Sequence, residues 1–166
     1  MKDLIIDATR EALRGVRDAR FFKTERGFQG AFYCALMHCL NERGLIAEDT
    51  LLEMEYQKSA RHGMHQRPDI VLHKPAEFTG AAVSGNNYAV WALKRHATAE
   101  AAAEDFTKLD EMFSVLRYAL GFFINIDARD HHLTRYGGRY PERLHGCAIW
   151  LDQGIPTVRL DSMKRE

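Results

Sequence analysis

The run Tyr88-Ala89-Val90-Trp91-Ala92-Leu93-Lys94 carries no charge until its last residue. Side chains alternate between the two faces of a strand, so a strand that is apolar at every position must be covered on both. That demands a layer of structure above and below it, and the chain supplies helices for both. Ile5, Ala8, Ala12, Leu13 and Val16 keep a helical period with Arg10, Glu11, Arg14 and Arg17 mostly opposite, which predicts a first amphipathic helix. After Gly27, the residues Phe28, Ala31, Phe32, Ala35, Leu36, Cys39 and Leu40 recur at three and four, and Asn41-Glu42-Arg43-Gly44 gives a polar end with a glycine stop. This second helix is expected to be largely buried, with His38 a hydrogen-bonded core histidine. Residues 98–120 open on Thr98 as an N-cap and place Leu109, Met112, Phe113, Leu116 and Leu120 on one stripe, predicting the third and longest helix.

Between the helices the period changes to two. Leu52, Met54 and Tyr56 alternate with Glu53, Glu55 and Gln57, and Pro68-Asp69-Ile70-Val71-Leu72-His73 follows a polar, basic loop at 58–66, so the two runs read as a hairpin. Further strands are expected at 121–127, 147–151 and 157–160, the last two joined across Asp152-Gln153-Gly154, with a long polar and basic loop over 128–144. With 46% hydrophobic and 28% charged residues, no repeat and no shift of composition, the economical arrangement is one layered α/β domain over 1–166. Cys34, Cys39 and Cys147 form no C-x-x-C pair and are expected to be reduced and partly buried. Acidic charge follows Met1 at once and the longest uncharged stretches are broken by Gly and polar residues, so the expectation is a cytoplasmic protein with no membrane segment. Lys+Arg and Asp+Glu are each 23, so any affinity for phosphate must come from local clustering.

Three polar signals stand where helix and strand ends can converge: Glu25 with Gln29, Asp69, and Lys94. Glu25 and Gln29 share a helix face if the helix starts early enough, and Ala92 and Lys94 share a strand face. Arg67-Pro68-Asp69-Ile70-Val71-Leu72, a spacer, and Val90-Trp91-Ala92-Leu93-Lys94 together resemble the PD-(D/E)-x-K restriction-endonuclease-like superfamily, with Asp69 and Lys94 25 residues apart. The resemblance extends to Glu25-Arg26-Gly27-Phe28-Gln29 before the core and to the helix around Ala103–Leu109 after it, covering roughly residues 22–127, with C-terminal strands at about 145–161.

The resemblance implies a restriction-endonuclease-like mixed sheet flanked by helices, and metal-dependent hydrolysis of nucleic acid, DNA in preference to RNA. It implies Mg²⁺ or Mn²⁺ on Asp69, with the Leu93 carbonyl and Glu25 as further ligands, and Lys94 orienting the attacking water or neutralising developing charge. Gln29 would be a supporting contact to the nucleic acid. The family pattern asks for Asp or Glu where this chain has Ala92, whose side chain cannot bind a metal. Three explanations stand open: an introduced inactivating substitution, which the intact context at 91–94 favours; relocation of the acid, with Glu55 preferred over Glu53; or a relative that keeps binding and has lost catalysis.

Lys58, Arg61 and Arg67 in the hairpin loop, and Arg135 and Arg139 in the later basic loop where Tyr136 and Tyr140 interleave with Arg129 and Arg143, are the candidate phosphate contacts. Asp105 with Lys108 reads as a surface pair that could assist if near the site, and Asp130-His131-His132 as loop chemistry without companion acidic motifs. A nuclease of this size is expected to act as a homodimer or as a subunit of a defence or repair assembly. The competing function is a catalytically silent nucleic-acid-binding or protein-interaction module on the same fold. A small-molecule enzyme ranks last, since no glycine-rich phosphate loop or Ser/Cys nucleophile setting is present.

Overall fold

A computed structural model of the chain describes residues 1–54, 68–75 and 86–163. The site candidates Glu55, Lys58, Arg61 and Arg67, and with them the hairpin loop, lie outside the described residues. Helix α1 (Lys2–Gly15) buries Ile5, Ala8, Thr9, Ala12 and Leu13 along the expected stripe. A 3₁₀ turn at Ala19–Lys23 follows, opened by the Asp18 side chain accepting from the Arg20 N–H. Helix α2 (Glu25–Glu42) starts where the Thr24 hydroxyl accepts from the Gly27 N–H, so Glu25 occupies its first turn and shares the helix with Gln29. The face of α2 that is buried is narrower than its composition suggests. Phe28, Phe32, Leu36, Cys39 and Leu40 are inside, but His38 projects into solvent beside Glu42, which corrects its assignment to the core. Its position falls off the Leu36–Leu40 stripe.

Six strands form one mixed sheet in the order β1-β2-β3-β4-β5-β6. They are β1 (Leu51–Met54), β2 (Ile70–His73), β3 (Asn87–Arg95), β4 (Leu120–Ile126), β5 (Leu144–Asp152) and β6 (Ile155–Ser162). β1, β2 and β3 pair antiparallel, β3, β4 and β5 pair parallel, and β5 returns antiparallel into β6. The last turn is carried by Gln153 and Gly154 at φ 49° and 81°, the paired left-handed conformation that a two-residue hairpin loop needs. Helix α3 (Ala99–Glu111) is the crossover that a parallel β3–β4 pair requires.

Alternation along the strands sorts their side chains into two cores. Ile70, Leu72, Ala89, Trp91, Leu93, Phe122 and Ile124 pack with α1 and α2. Val71, Val90 and Phe123 pack on the other face with Ala102, Phe106, Leu109 and Phe113. β3 is thus the doubly covered strand its sequence demands, and Ala92 and Lys94, in phase with Val90, are set on the α3 face.

The third helix is shorter than its apolar stripe. After Glu111 it widens into a single π turn, Met112–Leu116, and the chain reverses at Arg117 with φ 57°, so Leu120 opens β4 instead of closing the helix. Close packing at the start of β4 gives a direct test. A Cβ at Gly121 would lie 2.4 Å from Cζ of Phe113. Gly121→Ala is therefore expected to lower stability by about 1–3 kcal/mol in denaturant titration, as overpacked cores do, and an unchanged midpoint would show that Phe113 yields freely.

Candidate active site

Asp69 immediately precedes β2, with Pro68 buried before it. Its register places it across from Ala92, one residue beyond the Ile70–Trp91 pair. At that point the backbone ladder ends and the side chain takes over: Asp69 Oδ2 accepts from the Leu93 N–H at 2.7 Å. Gln29 of α2, itself buried, donates from Nε2 to the Asp69 carbonyl at 3.1 Å. The amide of Gln29 is thus turned to the protein and fixes the entry to β2.

Glu25 is brought to the same place from the other side of the sheet's end. Its Oε2 accepts from the Arg95 N–H at 3.1 Å, just past Lys94. The Arg95 guanidinium donates to the Phe22 carbonyl at 2.7 Å and to Asp127 at 3.1 Å, so it ties the turn before α2 to the ends of β3 and β4. Asn125, buried in β4, adds to this end by bonding the Ala97 N–H at 2.9 Å and the Asp130 carbonyl at 2.8 Å.

Beside these contacts lies a cavity of about 170 Å³ into which Glu25, Asp69, Lys94, Asp105 and Lys108 face around Ala92. Asp105 and Lys108 are not a surface pair. Asp105 is only 7% exposed, and Lys108 Nζ donates to its Oδ1 at 2.7 Å from one turn further along α3. The signal that would have located Asp105 is its register: Ala102, Asp105, Phe106 and Leu109 form the buried stripe of α3. Its carboxylate occupies a core position that ends at the cavity.

The electrostatics follow from this crowding. Burial pushes the Asp69 carboxyl up to about 6, the charges of Glu25 and Asp105 push the same way, and the Leu93 N–H and the Lys94 ammonium oppose them. The Asp105 carboxylate raises Lys108 above its usual range by its hydrogen bond. The carboxylates of Glu25, Asp69 and Asp105 therefore share one small space with two ammonium groups.

Mg²⁺ keeps several waters and is commonly held by one or two carboxylates plus substrate phosphates. Asp69 and Asp105 supply two hard oxygen donors, and among the described residues no cysteine or histidine lines the cavity with them, a donor set that fits Mg²⁺ or Mn²⁺. Among the described residues no three His, Cys, Asp or Glu side chains stand together closely enough to hold a metal ion by themselves. Glu53, one of the strand acids considered as a replacement for position 92, is paired with His73.

The second basic loop does not present the interleaved platform expected of it. Asp110 accepts from the Tyr136 hydroxyl at 2.6 Å and from the Arg139 N–H at 2.8 Å, and Tyr136 is buried against Phe106. Arg139 is further bonded to Asp110 through Nε, while Arg135 is exposed on the 3₁₀ turn Leu133–Arg135. His131 is buried, bonded to Asp161 at 2.7 Å and accepting from the Leu133 N–H, and His132 contacts the Ala97 carbonyl, so both tie the loop to its surroundings. Cys39 and Cys147 are buried, while Cys34 is exposed.

The fold and the cavity define an α/β protein with a six-stranded mixed sheet flanked by helices and an acid–lysine cleft beside the ends of β2 and β3. Among solved structures the chain is similar to NucC of P. aeruginosa ATCC27853 in its cAAA-bound form, at 14% identity over 96% of this chain and 82% of that one, with a TM-score of 0.46. No family model and no curated protein matches the chain. Among the described residues no helix is long and apolar enough to cross a membrane.

Proposed function

We propose that this protein hydrolyses phosphodiester bonds in nucleic acid, DNA in preference to RNA, with Mg²⁺ or Mn²⁺ as cofactor. The observation that carries the reading is the meeting of Glu25, Asp69, Lys94 and Asp105 in one cavity, with Ala92 facing it where the family pattern has an acid. When bound, the cation would polarise the scissile phosphate and stabilise its developing negative charge.

The residues divide the remaining work. Asp69, locked by the Leu93 N–H, and Asp105, projecting from α3, would hold the cation. In this reading the acid missing at 92 is relocated to α3, and Lys108, bonded to Asp105, is its counter-ion. Glu25 contributes through water, since one of its oxygens is already committed to the Arg95 N–H. Lys94 holds the attacking water against the phosphorus or offsets the charge of the transition state. The bond from that water's oxygen to phosphorus forms as the water gives one proton to solvent, while the ester oxygen departs with its electron pair and takes a proton from solvent. Gln29 acts as a positioning residue through the Asp69 backbone, and Arg135 is available to meet phosphate. A second copy of the chain or a larger assembly would extend the nucleic-acid surface.

Ala92 favours one competing reading, a silent binding module. The two separate in a Mg²⁺-dependent cleavage assay on linear, circular and single-stranded DNA and on RNA. Cleavage of DNA by this chain is expected, with Asp105→Asn and Lys94→Ala each slowing it by about a hundredfold or more, the scale of one lost electrostatic contact. Cleavage gained only by Ala92→Glu would return the essential acid to position 92, and cleavage by neither chain would leave the silent module standing.

A further inference from the structure

A second cavity, of about 370 Å³, opens beside the far end of α3, and Lys2, Arg117 and Arg143 line it with Ser114 and Tyr140. Among the described residues no acidic side chain lines it. In a chain whose positive and negative charges balance, three cations around one cavity form a local field that selects anions. Glu142 pairs with one of these cations, its Oε1 3.9 Å from Nε of Arg143.

The backbone around this cavity is irregular in two ways that each cost free energy. Ser114 lies in the π turn, a widening rarely found in helices and frequent at functional sites. Arg117 then takes the left-handed conformation at φ 57°, where glycine normally ends a helix. Arg143 is held in advance: its Nη1 donates to the carbonyls of Phe113 at 3.4 Å and Tyr118 at 3.2 Å. Its guanidinium also lies 4.7 Å from the Tyr140 ring centroid, with Arg139 5.5 Å from the same ring. The ring is therefore engaged by cations and not open for stacking a base, so recognition here rests on phosphate oxygens.

From these observations we propose that Lys2, Arg117 and Arg143 form a binding site for a small phosphorylated ligand. It is separate from the cleft of Glu25, Asp69 and Lys94. Ala119, which also lines it, precedes β4, whereas Lys94 is paired with Asn125 near the other end of that strand. Helix α3 and its π turn connect the two, since Asp105 and Met112 face the cleft and Phe113 and Ser114 face the second cavity. A planar guanidinium binds phosphate through paired N–H donors, which suits Arg117, while Arg143, with Nη1 committed to the two carbonyls, offers Nη2 and Lys2 contributes a point charge.

Isothermal titration of the full chain with inorganic phosphate, pyrophosphate, ATP and a short DNA duplex tests this. One equivalent of pyrophosphate or ATP is expected to bind. Lys2→Gln and Arg117→Gly should each weaken that binding about tenfold, the size of one lost charge-assisted hydrogen bond. Arg117→Gly should at the same time raise the melting temperature by relieving the left-handed arginine, which shows that the weakened binding does not come from misfolding. Lys94→Ala should leave the affinity unchanged. Absence of binding to every small phosphate, or equal binding by both variants, overturns the proposal. Variant-sensitive binding of the duplex alone would assign these cations to a nucleic-acid surface and overturn it as well. None of these outcomes depends on whether the chain cleaves DNA.

Discussion

Asp69→Asn is expected to make the protein more stable at neutral pH while removing its proposed activity. The Asp69 carboxyl titrates at about 6 in the folded chain against 3.8 for an ordinary aspartate, chiefly because it is buried. The folded state therefore binds the proton more tightly than the unfolded state does. Stability falls as pH rises from about 4 through 6, and above that the ionised carboxylate costs about 3 kcal/mol at most, nearer 2 where solvent reaches the rim of the cleft. Asparagine keeps an acceptor for the Leu93 N–H and carries no charge, so it escapes that cost. Denaturant curves should separate the two proteins by about 2 kcal/mol at pH 7.5 and bring them together near pH 4. A gap independent of pH would mean that Asp69 is not held in a desolvated, like-charged site. Mg²⁺ should stabilise the parent chain and leave Asp69→Asn unmoved, and cleavage should fall by about a hundredfold or more, since losing a metal-binding carboxylate removes several kcal/mol of transition-state stabilisation.

A carboxylate kept in place at a cost in stability is the kind of local conflict that a sequence reveals when its register is followed. The apolar run of β3 had to be doubly covered, and strand parity then set Ala92 and Lys94 on one face. Thr24 as N-cap brought Glu25 into α2 with Gln29. What failed were inferences from residue type without register. Asp105 and Lys108 are three apart and oppositely charged, the usual mark of a solvated pair, yet Asp105 is in phase with Ala102, Phe106 and Leu109. His38 stands among apolar neighbours in sequence but off their stripe in space. Leu120 continues the helical spacing of Leu116, and nothing in side-chain pattern alone distinguishes a fifth helical position from the first residue of a buried strand. The reversal is made by the backbone of Arg117, a residue with no turn preference. Tyr136 and Tyr140 alternate with arginines as a stacking platform would, but Asp110, a distant helix residue, gathers Tyr136 and Arg139 to itself.

The largest loss of stability is expected from Trp91→Ala, and its effect bears on how the cleft is held. Trp91 is fully buried, stacked on Phe122 at 5.4 Å with the rings 9° from parallel. Its Nε1 donates to Thr9 Oγ1 at 3.2 Å, and that hydroxyl donates to the Ile5 carbonyl at 2.8 Å. The indole thus joins β3 to α1 through the core. Removing it leaves a cavity and deprives Thr9 of its donor, a combined cost of about 3–5 kcal/mol. Trp91→Phe keeps most of the packing and should cost about 1–2 kcal/mol. Because Trp91 faces α1 and α2 while Ala92 and Lys94 face α3, neither substitution touches a group in the cleft. Cleavage measured well below the melting temperature should therefore survive Trp91→Phe unchanged. Trp91→Ala should lower it only as far as β3 shifts relative to Asp69, whose bond to the Leu93 N–H reports that shift directly in amide hydrogen exchange. An activity lost in Trp91→Phe with the Leu93 amide still protected would place the chemistry on the wrong face of the sheet.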